Sequence, residues 1–329
     1  MPHASAAPSR ARILAAFAAV YVVWGSTYLA IRIAIDTMPP FLMAGVRFLV
    51  AGGLLYAWAR SRGAPAPTRR QWITAAIVGG FLLLGGNGGV VWAEQRVASG
   101  VAALLVATVP LWVVMLEWLR GGTRPGLGTT AGVVLGLAGL AILVEPGSLL
   151  GGGRIDTLGA LVLVGASLSW SIGSLYSRRH KSGDTPLLGS ATQMLMGGAL
   201  LVVFSLVTGD AARLDLAGVT LASMLALVYL IAFGSLVGYT AYIWLLGVVA
   251  PSRVATYAYV NPVVAVFLGW LILDEPVTSR VLLAAGVIVA AVALITTAVS
   301  GAKTRVERAP SPESEPITPA PEAERRLAS

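Results

Sequence analysis

Ten long apolar runs follow one another along the 329-residue chain, and this succession restricts the fold more than any other feature. A run of roughly 16–25 apolar residues is long enough to cross a hydrocarbon core about 30 Å thick as a helix. The runs cover residues 13–35, 40–59, 72–92, 98–119, 129–145, 157–177, 187–208, 220–246, 254–273 and 281–299. The eighth run is long enough to tilt or to form two short pieces. Because backbone groups in lipid must bond within their own segment, we expect an all-α membrane protein with ten transmembrane helices.

The positive charges lie mainly on one side of these runs. When the N-terminus is placed in the cytoplasm, 17 of the 23 lysines and arginines fall in the N-terminal segment, the inner loops and the tail. This bias predicts a bacterial inner-membrane protein with both termini in the cytoplasm. It also accounts for the net charge of +8 without a nucleic-acid partner. The first run follows the basic stretch "RAR", but it is too long for a signal peptide and is interpreted as a retained helix.

Several kinds of chemistry lack the residues that they need. The chain has no cysteine, which excludes disulfides, thiolate metal sites and cysteine nucleophiles. His3 and His180 lie outside the apolar runs, so an intramembrane serine–histidine hydrolase would have no base. No run contains an aspartate, which excludes an intramembrane aspartyl dyad. We therefore expect neither an enzyme nor a bound metal or cofactor.

The sequence contains two related halves. A shift of 152 positions places Gly86 on Gly238, Trp92 on Trp244, Pro110 on Pro262 and Trp118 on Trp270. The motifs "WGS" at residue 24 and "WSIGS" at residue 170 align with a different shift. Because a five-span unit must invert when it is duplicated, we expect two inverted five-helix repeats, at residues 13–150 and 151–299. Residues 1–12 form a cytoplasmic N-terminus, and the Pro-rich residues 300–329 are predicted to form a disordered cytoplasmic tail.

Four motifs stand at fixed places in this arrangement. They are "VWGSTYLAIRIAID" in the first run, "PPF" and "RF" around the second, a proline inside the fourth and ninth, and the turn "DEP" after the ninth. In their order and spacing they resemble the drug/metabolite transporter superfamily in its ten-span EamA type, over about residues 13–299. One motif departs from the family pattern: Thr123, within "GGTRPG", stands where the first copy usually has an acidic residue.

The resemblance implies a multi-pass transporter of small organic solutes, such as metabolites, amino acids or drug-like amphipaths, moved mainly outward. Inverted repeats place the substrate site at the membrane midplane between them, with alternating access from the two sides. Two other functions stay open: an exchanger of phosphorylated or nucleotide-linked sugars, and a membrane receptor or scaffold that does not transport. The expected partners are a small-molecule substrate and the lipid bilayer. The substrate, direction, driving force, oligomeric state and role of the tail are left open.

A glycine-rich segment, "GGFLLLGGNGG", surrounds Asn87 in the third run. One interpretation is a closely packed helix, because small residues let membrane helices approach one another. The other is that this run lines the central cavity, where Asn87 meets water or substrate. The 152-residue shift places Asn87 on Tyr239, which is polar as well. Together with aromatic residues too deep for an interfacial belt, these observations predict a substrate cavity lined by Trp24, Tyr28, Asn87, Trp112, Tyr239, Tyr242 and Asn261.

Two prolines and two ionisable residues complete the candidate site. Pro110 and Pro262 each remove a backbone hydrogen bond inside a run, which predicts bending or gating there. Arg47 lies about 10 Å deep in the second run, at 1.5 Å per residue, and is either functional or structural. No carboxylate or histidine lies centrally in a run, so we expect facilitated diffusion or exchange rather than proton antiport. Glu94, near the outer end of the third run, is the coupling residue if this expectation fails.

Overall fold

The computed structural model describes residues 9–121, 124–144, 156–249, 254 and 256–307, and within these ranges every regular element is helical. Ten long helices there follow the ten predicted runs. They are α1 (Arg10–Ala34), α2 (Pro40–Ser61), α3 (Arg69–Ala93), α4 (Ser99–Leu119), α5 (Leu127–Val144), α6 (Thr157–Arg179), α7 (Pro186–Val207), α8 (Leu221–Val248), α9 (Tyr257–Leu273) and α10 (Ser279–Glu307). Seven of them are long and apolar enough by themselves to cross a membrane, and α5, α9 and α10 contain shorter apolar stretches. The predicted fold, all-α with ten transmembrane helices, is confirmed.

The second helix of each repeat begins and ends in the same way. α2 begins with Pro40 and α7 with Pro186, because the first helical N–H needs no partner and a proline fits there. Two residues after the helix ends, Gly63 and Gly209 have φ angles of 83° and 74°, the left-handed conformation that terminates helices. Both pairs are 146 positions apart in the sequence, the shift that also relates the two tryptophan motifs. The two helices are equivalent elements of two inverted five-helix repeats.

Contacts between the repeats depend on glycine. Where α2 packs on α7, a Cβ atom at Gly45 would lie 2.6 Å from Val202 Cγ2, and one at Gly52 would lie 2.8 Å from Met194 Cβ. Gly132 makes the same kind of close approach where α5 packs on α10. Lipid gives helices no hydrophobic reason to associate, so such van der Waals contacts hold the repeats together.

Three of the described helices contain a π-helical segment, in which the backbone turns are wider than in an α-helix. The segments are Ala19–Val23 in α1, Gly80–Asn87 in α3 and Leu230–Tyr239 in α8. The last two end at Asn87 and Tyr239, the two residues that the 152-residue shift predicts to be equivalent. α8 is thus one continuous helix and not two short pieces. α3 packs on α6 and α8 packs on α1, so each of these irregular helices faces the other repeat.

The ends of the chain differ in part from the predicted bounds. α10 continues to Glu307, so the first residues of the predicted tail are helical. Residues 1–8 and 308–329, the predicted boundary near residue 150, and Thr123 lie outside the described residues. The division into units at 13–150 and 151–299 stays a prediction.

Candidate functional site

A cavity lies between the two repeats, enclosed by α1, α2, α3 and α4 of the first and by α6, α8 and α9 of the second. Its volume is about 80 Å³, which is small beside the roughly 300–1,000 Å³ of ligand pockets. A metabolite therefore requires the repeats to move apart. The lining residues are Trp24, Thr27, Tyr28, Ile31, Arg47, Phe48, Leu83, Gly86, Asn87, Val90, Val106, Ala166, Trp170, Gly234, Tyr239, Tyr257 and Asn261.

The structure brings together most of the residues predicted to line the cavity. Five of the seven do so: Trp24, Tyr28, Asn87, Tyr239 and Asn261. Tyr242 lies behind the lining, with its ring centroid 4.9 Å from that of Trp24 and its hydroxyl 3.3 Å from Ser174 Oγ. Trp112 faces α6, where its Nε1 donates to Ser167 Oγ at 2.9 Å. In this conformation Tyr242 and Trp112 support neighbouring helices and do not line the cavity.

Trp170 of α6 completes an aromatic cluster beside the cavity. Its ring centroid lies 5.8 Å from that of Trp24, and Tyr257 lies 5.5 Å from Trp24, both at an interplanar angle of 86°. Such edge-to-face pairs stabilise beyond the burial of their area. Trp24 is fixed further because its Nε1 donates to the Gly234 carbonyl at 3.2 Å. Trp170 is not among the residues that the sequence predicts to line the cavity. Its motif, "WSIGS", aligns with the motif of Trp24, and this alignment could have identified Trp170 as a cavity residue.

Three residues that line the cavity have a buried polar atom without a hydrogen-bond partner among the described residues: Arg47, Asn87 and Trp170. Arg47 of α2 is 3% exposed, and among the described lining residues it alone carries a charge. Its Nε donates to Ser235 Oγ at 2.9 Å, whereas its Nη1 is buried without a hydrogen-bond partner among the described residues. Within the described part of the chain, Asn87 Oδ1 and Trp170 Nε1 are buried without a partner as well. A buried polar group left in this way costs roughly 1–3 kcal/mol, so a ligand that bonds to these three atoms gains the most there.

A chain of hydrogen bonds separates the cavity from a cleft lined by His180, Lys181 and Gln193, which we name the Lys181 cleft. The Tyr239 hydroxyl donates to Gln193 Oε1 at 2.6 Å, and Gln193 Nε2 donates to Ser182 Oγ at 2.7 Å. All three side chains are buried. Tyr239 lines the cavity and Gln193 lines the cleft, so this pair forms a barrier between the two spaces.

Glu94 lies toward the other end, near a cleft lined by Arg32, Arg96 and Glu275, which we name the Arg96 cleft. Glu94 is fully buried, and both of its carboxyl oxygens lack a partner among the described residues. Its backbone carbonyl accepts a hydrogen bond from Arg32 Nη1. The charged groups that act on it are Arg32 and Glu275 of this cleft and Arg47 of the cavity. The carboxyl group is enclosed, and Glu94 is not among the described residues that line the cavity or the Arg96 cleft.

The two equivalent prolines lie in helices of different regularity. α4 is interrupted at residues 107–108, directly before Pro110, whereas α9 continues as a helix through Pro262. At the interruption the Thr108 hydroxyl donates to the Leu105 carbonyl at 2.6 Å. This bond satisfies a backbone carbonyl beside the interruption, whereas the carbonyl that Pro110 deprives of its donor is that of Val106. In the described residues the helix is interrupted beside Pro110 and continues through Pro262, and bending or gating at the two prolines stays a prediction.

Asn261 precedes the proline of α9, and it both lines the cavity and bonds to backbone groups. It lines the cavity and is 5% exposed. With its amide oriented so that the nitrogen donates, it reaches the backbone carbonyls of Tyr21 at 3.0 Å and of Tyr257 at 3.2 Å. Asn261 thus ties α9 to α1 through backbone groups next to the cavity.

Comparisons with known proteins cover almost the whole chain. Residues 11–145 and 157–297 match the EamA-like transporter family. The "Uncharacterized inner membrane transporter YedA" of Escherichia coli (strain K12) is 41% identical over 285 residues, which cover 86% of this chain and 90% of that protein. The "Probable amino-acid metabolite efflux pump" of the same strain is 27% identical, with coverage of 79% and 86%. The "Uncharacterized transporter YvbV" of Bacillus subtilis (strain 168) is 26% identical, with coverage of 88% and 92%.

A solved crystal structure shares the fold. It superposes with a TM-score of 0.63 and covers 88% of this chain and 99% of its own. At 21% sequence identity, the likeness concerns the arrangement of helices and not the solute.

Proposed function

The chain belongs to the EamA-like transporter family, whose members carry small solutes across membranes, and from this premise we propose alternating access around the central cavity. The observation that carries the proposal is the cavity itself, which both repeats line and which holds unpartnered polar atoms of Arg47 and Asn87. Rocking of one repeat against the other opens such a site to one side at a time. We propose that α4 and α9 bend at Pro110 and Pro262 during this motion.

We propose small organic solutes as the cargo, among them metabolites, amino acids or drug-like amphipaths, and export as the direction. An aromatic cluster next to two polar groups suits an amphipathic solute, and one relative is named as an amino-acid metabolite efflux pump. The second candidate is an exchanger of phosphorylated or nucleotide-linked sugars, whose dianionic cargo calls for more cations than Arg47. The third is a receptor or scaffold, which predicts no solute flux.

The experiment for this function is solute flux in proteoliposomes that contain the full chain. Saturable uptake or release of one or more metabolites from a mixed pool is expected. Asn87→Ala should reduce the flux severalfold at normal membrane expression, because a buried polar group of the cavity is lost. Thr297→Ala, which removes an exposed hydroxyl of α10 that donates within its own helix, serves as the control. Flux that does not saturate, or that survives Asn87→Ala unchanged, would contradict the proposed site.

We propose the bacterial inner membrane as the location, with both termini in the cytoplasm. The charge bias of the loops supports this, and YedA is named an inner membrane transporter. Because the chain has no cysteine, single cysteines report sidedness cleanly. Cysteines at Ser61 and Lys181 should react with an impermeant thiol reagent only after permeabilisation, and one at Ala212 should react in intact cells. The opposite pattern would invert the topology.

We propose facilitated diffusion or exchange as the driving mode, because no acidic residue is among the described residues that line the cavity. Glu94 carries the alternative, since buried carboxyl groups are the usual proton carriers in coupled transporters. Tyr28, Arg32, Arg47 and Glu275 are the ionisable groups that act on it. The test is transport in proteoliposomes with and without an imposed pH gradient. Uphill accumulation that the gradient drives and that Glu94→Gln abolishes would replace our proposal by proton antiport.

A further inference from the structure

The charge inside the cavity restricts the solutes that fit it. Arg47 is the one cation among the described lining residues, and its Nη1 has no partner. A buried cation without a counter-ion costs several kcal/mol, and a bound anion removes that cost. We propose that the solute carries a single carboxylate and that this carboxylate binds the guanidinium of Arg47. The proposal rests on the transport function above and names its substrate class.

The guanidinium is held in place before any solute arrives. Arg47 Nε donates to Ser235 Oγ of α8, and the guanidinium carbon lies 4.7 Å from the Phe48 ring centroid. A Cβ atom at Gly234 would lie 2.7 Å from Arg47 Nη2, so the absence of a side chain at Gly234 makes room for the guanidinium. A planar guanidinium fixed at one edge presents its other N–H groups in the geometry that a carboxylate matches.

No residue of the protein neutralises Arg47 by direct contact in the described part of the chain. The ion pairs there join Arg96 to Asp156, Arg178 to Glu117 and Arg213 to Asp210. Glu94 acts on Arg47 electrostatically, but its carboxyl oxygens have no hydrogen-bond partner. The place of a counter-ion at Nη1 is therefore left for a solute.

The other residues that line the cavity indicate which further groups the solute carries. A single cation matches one carboxylate better than a phosphate dianion. Asn87 Oδ1, buried without a partner, accepts an N–H group of the solute. The rings of Trp24, Trp170 and Tyr257 surround an apolar group. A carboxylate, an N–H donor and a compact apolar group together describe an α-amino acid with an apolar side chain.

The test measures binding separately from transport. The purified full-length protein is titrated with L-leucine and L-phenylalanine and with their carboxamides, which lack the carboxylate. Tryptophan fluorescence and thermal stabilisation serve as readouts. The acids should bind the wild type more tightly than the amides. Arg47→Gln should weaken acid binding roughly tenfold to a hundredfold, the range for a hydrogen bond to a charged group, and should leave amide binding almost unchanged. Arg47→Lys should restore part of the preference for acids.

Two further variants keep the test decisive if Arg47→Gln fails to fold. Gly234→Ala should lower the preference for acids by displacing the guanidinium, whereas Gly53→Ala, with open space around its Cβ position, should not. Equal binding of acids and amides, absence of acid binding, or an unchanged preference in Gly234→Ala would each overturn the proposal. If acids bind through Arg47 and no solute is transported, the transport function fails and the carboxylate site stands. If solutes are transported without a preference for acids, the transport function stands and the carboxylate site fails.

Discussion

The two ends of the central cavity are closed by different chemistry. On the side of the protein that holds the Arg96 cleft, two carboxylates of the second repeat, Glu275 and Asp210, bind the first repeat. Glu275, in the acidic turn after α9, accepts hydrogen bonds from Ser99 N at 2.8 Å, Ser99 Oγ at 3.0 Å and Gly100 N at 3.2 Å. These groups form the start of α4, so the turn ties α9 to α4 across the boundary between the repeats.

Asp210 makes the equivalent contact at the start of α2. Its Oδ2 accepts from Phe41 N at 3.1 Å and Leu42 N at 3.2 Å, and Ser205 Oγ donates to it at 2.8 Å. A carboxylate at a helix N-terminus is stabilised by the helix dipole as well as by the hydrogen bonds. Both spans of the first repeat that begin at this end are therefore held by an acid from the second.

At the two equivalent positions the sequence of the first repeat has no acid. Ala64 stands at the position equivalent to Asp210, and α7 begins instead with its own cap, in which Leu188 N donates to Thr185 Oγ1 at 3.2 Å. Thr123 occupies the position equivalent to Glu275. At the Lys181 end the neutral pair of Tyr239 and Gln193 closes the cavity. An ion pair joins Arg178 to Glu117 between the repeats there, but it is solvent-exposed and contributes little. Two copies of one fold thus differ in the strength of their ties, and we expect the Lys181 end to open more easily than the Arg96 end.

Removal of the Glu275 tie should have the largest effect on this comparison. Glu275→Ala leaves two backbone N–H groups of α4 without their charged acceptor and should lower the free energy of unfolding by about 3 kcal/mol. It should also speed the reaction of a cysteine at Val90, a cavity residue, with a reagent from the Arg96 side. Asp274→Asn, the neighbouring loss of charge in a left-handed conformation that asparagine tolerates, is the control. Equal effects of the two variants would remove the special role of Glu275.

Tyr239→Phe removes the hydrogen bond between Tyr239 and Gln193, the pair that forms the barrier at the Lys181 end. The change leaves the buried Gln193 Oε1 without its donor, and we expect a loss of about 2 kcal/mol in the free energy of unfolding. Cysteine labelling from the Lys181 side should accelerate, and labelling from the Arg96 side should not. Tyr56→Phe, on α2, is the matched control. Faster labelling from both sides would mean that Tyr239 supports packing in general and not one barrier.

Asp210→Asn should have a smaller effect, because the amide oxygen still accepts from the start of α2 and only the charge is lost. A decrease of about 1 kcal/mol is expected, typical of a charge at a helix end. Thermal unfolding at low and high salt separates the contributions, since salt screens an exposed charge more than a buried one. Asp210 is 6% exposed, so the decrease should persist at high salt, whereas the exposed Asp215→Asn should show none.

The smallest expected effect comes from copying the acid into the first repeat. Ala64→Asp places a carboxylate where Asp210 stands in the second copy, opposite the start of α7. If the equivalence is real, the free energy of unfolding rises by about 0.5 kcal/mol and labelling of the cavity from the Lys181 side slows. Ala64→Asn, which lacks the charge, should give less of both. A destabilised Ala64→Asp variant would show that the two turns are not equivalent in space.

Much of the fold follows from local pattern. Apolar length predicts the ten helices, and the repeat shift predicts that Asn87 and Tyr239 occupy equivalent places, which the two π-helical segments bear out. Trp112 and Tyr242 could not be assigned in the same way, because their partners, Ser167 and Trp24, are far away in the sequence. The helix caps formed by Asp210 and Glu275 were not predicted for the same reason. In the sequence, an acidic loop residue that caps a helix of the other repeat cannot be distinguished from one that is exposed to solvent. The lack of a partner for Arg47 Nη1 could not be predicted from the sequence either, because it depends on the positions of all the side chains around Arg47.

The π-helical segments of α3 and α8 interrupt the regular hydrogen-bond pattern of their helices, as a line defect interrupts the regular lattice of a crystal. A crystal under stress deforms when such a defect glides, because only a few bonds exchange at any moment and the lattice on either side stays intact. A wide turn that moves by one residue along a helix re-aims the residue it passes by about 100°, the angle between successive residues. Asn87 and Tyr239 stand at the edges of these defects. Their side chains can therefore swing toward or away from the cavity while both ends of each helix stay anchored in the membrane.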